Sequence, residues 1–199
     1  MRFQKVISTI LHPIVIPTIG VMLYFLVSPL NFNRIQKFAV LLLIFIFTYI
    51  VPLLALLLLK KLNIIQSFRL KKINERRIPL LLMIFIFYGI ANGISYLKAF
   101  QDISLLFYAT SLGLLITYIL LFVKIKTSIH LLSLGISCGF FMLLTIIDNQ
   151  SYLLVIVINL LMAGFLASAR LKLKMHTNRE VYLGFLIGVL SIFSIYAML

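Results

Sequence analysis

The sequence predicts an all-α integral membrane protein, a bundle of six to seven transmembrane helices, and three observations carry that prediction. Hydrophobic residues make up 63% of the 199-residue chain, and the mean hydropathy is +1.19. Only 18 basic and 4 acidic residues interrupt them, whereas a soluble domain is about a quarter charged. Those charges leave seven uncharged runs, each near or above the roughly 20 residues that a helix needs to cross the hydrocarbon.

The runs are 6–33, 38–59, 78–97, 103–123, 127–147, 149–169 and 181–199. The first reads as the weakest span, because His12, Pro13, Pro17 and Gly20 can kink it or make part of it re-entrant. It does not read as a cleaved signal peptide: it is too long and lacks a small-residue cleavage site. None of the runs alternates polar and apolar residues as a barrel strand does. The connections are short except for the basic stretch 60–77. Residues 1–199 therefore read as a single transmembrane domain.

Charge is distributed unequally between the two ends of such a bundle. With seven crossings, the N-terminus and the even-numbered connections carry 15 of the basic residues, and the other side carries only Arg34, Lys37 and Lys98. The positive-inside rule puts the basic end in the cytoplasm. Lys60, Lys61, Lys124, Lys172 and Lys174 read as headgroup anchors there. A net charge of +14 would point a polar protein towards nucleic acid. Interleaved with apolar runs, it points instead to membrane lipids and phosphorylated lipids, with no nucleic-acid partner. Cys138, the single cysteine, excludes a disulfide framework and reads as packing. His12 reads as a packing or kink residue, with a substrate-side group as the alternative, and Asp102 and Asp148 read as turn or cap residues.

The rare polar groups gather on the basic end. Segments 69–79, 126–130 and 169–184 hold two of the three histidines, His130 and His176, and half of the acidic residues, Glu75 and Glu180. Many cations, two imidazoles and almost no carboxylate describe a site for an anion, with phosphate the commonest candidate. His176 and Glu180 stand four apart, so one helical face would hold both if the last helix has begun by then. A carboxylate there can fix one ring nitrogen as N–H and leave the other free to attack. His130 can serve as a general acid, and Arg69, Lys72 and Arg76 recur at helical spacing, suited to neutralising phosphate oxygens.

These three segments resemble the motifs of the type 2 phosphatidic acid phosphatase (lipid phosphate phosphatase) superfamily, K-x6-R-P, P-S-G-H and S-R-x5-H-x3-D. The third motif is matched by Arg170, His176 and Glu180, followed by Val181 and Gly184. The second is matched in part by Ser128 and His130, with Thr127 for proline and Ile129 for glycine. The first keeps its seven-residue spacing from Arg69 to Arg76, with Arg77 and Pro79 one residue out of step. The resemblance covers the core 69–188, and the first two runs add little to it.

That resemblance implies a divergent, metal-independent phosphatase without a cofactor, acting through a phosphohistidine on a lipid phosphate such as phosphatidate, a polyprenyl pyrophosphate or a lipid A phosphate. His176 would be the nucleophile, Glu180 its orienting group and His130 the general acid. Arg170, Arg69, Ser128 and one of Arg76 or Arg77 would hold the phosphoryl oxygens. The implied residence is a bacterial inner membrane. For the side of the active face, the resemblance favours the extracytoplasmic surface while charge favours the cytoplasm. Three departures stand out: glutamate for aspartate lengthens the orienting arm, Ile129 replaces a glycine that would let backbone approach phosphate, and Ala169 removes a hydroxyl. The altered second motif favours an alternative, a relative that binds or transports phosphorylated lipid without cleaving it. A small ion channel fits less well, because the polar groups sit at one end rather than along a path. The sequence does not fix the oligomeric state.

Overall fold

An apolar run in lipid must satisfy its backbone internally, and helix is the way one segment can do so alone. The computed structural model of the protein describes residues 2–30, 32–67 and 73–198, and the order of its elements follows that rule. The helices are α1 (Arg2–Ile10), α2 (Ile16–Val27), α3 (Arg34–Phe45), α4 (Val51–Lys61), α5 (Ile73–Ser95), α6 (Gln101–Phe122), α7 (Ile129–Ile147), α8 (Leu153–Lys172) and α9 (Asn178–Met198). A π-helical turn at Ile46–Ile50 joins α3 to α4, so the two run on as one long helix. Among the described residues, six helices are long and apolar enough to cross a membrane, which makes the protein a helical membrane bundle.

The first run, 6–33, does not form one long helix. It divides into the nine-residue α1 and the twelve-residue α2, with Pro13 in the turn between them. Pro17 is accepted in the first turn of α2, where a missing N–H is harmless. At about 18 Å, α2 is short for a span, yet it carries the chain from one end of the bundle to the other. His12 adjoins His130 at the start of α7. Tyr24 donates to Asp102 Oδ2, 2.8 Å away, in the first turn of α6 at the far end. Asp102 is thus the acceptor for a side chain from another helix rather than a turn residue alone. Asp148, which ends α7, accepts from Tyr152 at 2.5 Å.

The centre of the bundle is α7, packed most closely on α9. Two glycines four apart on each helix make that approach possible. A Cβ at Gly135 would stand 2.2 Å from the Phe185 carbonyl oxygen, and one at Gly188 would stand 2.3 Å from that of Leu132. One at Gly184 would meet the Ser128 carbonyl oxygen at 2.6 Å. This is the small-residue packing that membrane helices use in place of a hydrophobic drive. Cys138 is buried in α7. Hydroxyls join further pairs: Ser111 on α6 donates to the Ile84 carbonyl at 3.0 Å, and Thr127 donates to Thr117 at 3.1 Å.

The α3–α4 helix packs at the edge of the bundle and keeps many large apolar side chains exposed, Leu42, Leu53, Leu54 and Leu58 among them. Pro52 lacks an N–H for the carbonyl four residues back, and the π turn lies at that point. The Thr48 hydroxyl is paired with that of Thr18 at 3.2 Å.

Candidate active site

Two turns at the basic end place the imidazoles. Helix α8 ends at Lys172, and Lys174 adopts a left-handed conformation at φ 52°. The Lys174 N–H then bonds the Leu171 carbonyl at 2.9 Å, and the Met175 N–H bonds that of Arg170 at 3.1 Å. This is the double closure of a helix C-terminus, built here on lysine rather than glycine. It delivers His176 one residue before Thr177, the N-cap of α9. The Glu180 N–H points at the Thr177 hydroxyl at 3.4 Å, and the Val181 N–H bonds the Thr177 carbonyl at 3.2 Å. The T-x-x-E spacing of a capping box is present, but the Glu180 carboxylate has another partner.

That partner is His176. Its Nδ1 lies 2.6 Å from Glu180 Oε2. The sequence expectation placed both on one helical face, whereas His176 precedes the helix and the turn makes the contact. With Nδ1 held as the N–H facing the carboxylate, Nε2 is the ring nitrogen left with a lone pair. Burial holds the His176 pKa below its ordinary 6.5; the hydrogen bond to Glu180 pulls the other way, and the positive charge of Arg170 adds to the lowering.

His176 opens into a cavity of about 350 Å³. Its polar end is formed by His12, Arg76, His130, Arg170 and His176. Apolar side chains dominate the remainder, including Leu53, Leu56 and Leu59 of α4, Leu80, Met83 and Phe87 of α5, and Leu106 and Leu114 of α6, with Thr110, Ser133 and Ser137 among them. His130 stands in the first turn of α7, with a buried Nε2 that has no hydrogen-bond partner. Arg170 donates from Nη1 to the Ser8 hydroxyl at 3.0 Å, while its buried Nε has no partner. Arg76 lies within electrostatic reach of Glu180, Arg170 and His176.

The structure thus gathers His130, His176, Arg170 and Arg76 at one end of the cavity, with Glu180 bonded to His176. It does not bring in Arg77 or Ser128. Arg77 turns aside, its guanidinium 4.8 Å from the centre of the Phe122 ring, because adjacent helical residues point about 100° apart. Ser128 is buried as the N-cap of α7, but it does not line the cavity; its N–H bonds the Glu180 carbonyl at 3.0 Å and its hydroxyl has no partner. Arg69 lies outside the described residues. Ser8 is not singled out by sequence reasoning; His12 reads there chiefly as a packing or kink residue beside Pro13, and the structure places it on the cavity wall.

No protein-family model, curated protein or solved structure matches this chain. The functional reading therefore has to come from the site.

Proposed function

We propose that the protein is a membrane phosphatase, a divergent relative of the type 2 phosphatidic acid phosphatases, that hydrolyses a lipid phosphate or polyprenyl pyrophosphate through a phosphohistidine. The observation that carries this reading is the His176–Glu180 pair beside Arg170, Arg76 and His130 at the polar end of a largely apolar cavity. Cations and imidazoles suit a phosphoryl group, and the apolar walls suit the chain attached to it.

The chemistry follows from these groups. His176 Nε2 attacks phosphorus as the bond to the leaving oxygen breaks, and His130, protonated once the phosphate's negative charge is bound beside it, gives that oxygen its proton. Glu180 stabilises the charge that develops on the attacking ring. Water then attacks phosphorus, the P–N bond breaks, and His130, now neutral, takes the proton from water. Inorganic phosphate leaves, and both histidines return to their starting forms. Arg170 and Arg76 neutralise the phosphoryl oxygens throughout, and such preorganised charge supplies most of the rate in phosphoryl transfer.

Purified protein in detergent, offered phosphatidate, phosphatidylglycerol phosphate, undecaprenyl pyrophosphate and lipid A, should release phosphate from at least one. The His176→Ala variant should not. Undiminished release by that variant would remove His176 as the nucleophile. A second reading, binding without cleavage, is favoured by Ser128. It does not line the cavity, and the neighbouring Thr127 hydroxyl donates to Thr117, so the second segment offers the cavity an imidazole and no hydroxyl. Bound phospholipid with no release from any substrate would select that reading.

A further inference from the structure

His12 lies outside the three polar segments, yet it lines the same cavity as His130 and His176. The break between α1 and α2 fixes it there. The Val15 and Ile16 N–H groups both bond the His12 carbonyl, at 2.8 and 3.3 Å, closing the turn that contains Pro13. Helix α1 is held in turn by the Arg170–Ser8 hydrogen bond. The His12 ring meets that of His130 edge-on, with centroids 5.3 Å apart and planes at 77°.

The tautomer of His12 is set by its own loop. Nδ1 accepts from the Ile14 N–H at 3.4 Å, which leaves the proton of the neutral ring on Nε2. Burial and the nearby Arg170 charge lower its pKa, favouring that neutral form. At the polar end of the cavity, Arg76 and Arg170 are donors only, and the protein's own acceptors are the free ring nitrogens of His130 and His176, neither of which is hydrogen-bonded to His12. An acceptor for this N–H is what a ligand with several oxygens would bring.

We propose that His12 is a further phosphate-binding residue, its Nε2–H donating to a phosphoryl oxygen in the cavity, with α1 as the strap that holds it in place. The inference deepens the phosphatase reading and rests on that reading's placing of a phosphate group among Arg76, Arg170 and His176. It gives the N-terminal segment, which the three motifs leave without a role, a direct contact with the ligand.

Three variants separate a donor from a packing residue. His12→Asn keeps an acceptor for the Ile14 N–H but removes the Nε2 donor. His12→Gln carries its amide nitrogen out to about the Nε2 position, and His12→Ala removes both functions. Equilibrium binding of orthophosphate and of a phosphonate analogue of phosphatidate would be measured on the full chain in detergent, with unliganded melting temperatures alongside. The expected result is a loss of about tenfold in affinity for His12→Asn and His12→Ala, the size of one hydrogen bond to a charged group, and near wild-type affinity for His12→Gln. His12→Asn should melt as the wild type does. Tighter binding of the phosphonate marks a lipid headgroup as the source and equal binding marks free phosphate; either supports the donor when the His12→Asn loss accompanies it. Unchanged affinity in His12→Asn for both ligands overturns the proposal, and turnover in the wild type would then leave the phosphatase reading standing. Loss of affinity in His12→Asn without turnover in the wild type does the reverse, and a wild type that binds neither ligand overturns both.

Discussion

At the scale of single residues, the His176–Glu180 pair carries the sharpest expectation. Burial holds the imidazole below pKa 6.5 while the carboxylate pulls it up. A nucleophile must be neutral, so the acid limb of kcat/KM should fall below pH 6.5. Glu180→Gln takes away the upward pull, which should move that limb to still lower pH and cut kcat by roughly 10²–10⁴-fold. A pH–rate profile of the two proteins checks both, and a limb that moves upward would break the assignment. This pair was legible as a spacing of four, although a turn and an N-cap create the contact where a helical face was expected. The choice between Arg76 and Arg77 was not legible. Two adjacent arginines look equivalent in a sequence, and only the phase of α5 decides that one meets the cavity and the other Phe122.

Among the elements, the contact between α7 and α9 sets the site, because His130 opens one helix and His176 immediately precedes the other. Gly188→Ala would drive a methyl group into the Leu132 carbonyl, and such overpacking costs about 1–3 kcal/mol. Gly184→Ala would press on Ser128, two residues from His130, and should lower kcat as well as the melting temperature. Gly89 has open space where its Cβ would be, so Gly89→Ala should melt no lower than the wild type. Thermal unfolding of the three variants in one detergent makes the comparison. The apolar runs made six of the seven segments legible within a few residues, since hydropathy alone decides where a lipid-embedded helix can lie. The division of the first run was visible as two prolines and a histidine, but its purpose was not. What holds α1 is its apolar packing on α8 together with a hydrogen bond between residues 162 apart in the chain, and local pattern carries no information about contacts of that kind.

For the whole molecule, the alternating helices put Lys60 at the end that holds the cavity and Lys98 at the other. Cys138 is buried and should stay silent towards a membrane-impermeant thiol reagent, so single cysteines can be introduced without a background. Lys60→Cys and Lys98→Cys should label from opposite faces. The excess of basic residues around the cavity predicts labelling of Lys60→Cys from the cytoplasm, and labelling from outside would overturn that charge argument. The polar end of the cavity draws on α5, α7, α8 and the turns that precede α2 and α9, so its parts come from segments far apart in the chain. Arg170 can meet Ser8 once α8 has packed on α1, whereas His176 and Glu180 arrive only with α9. A chain stalled before its final hairpin would hold α1 on α8 yet lack the His176–Glu180 half of the polar cluster, so the polar end is complete only with the last helix.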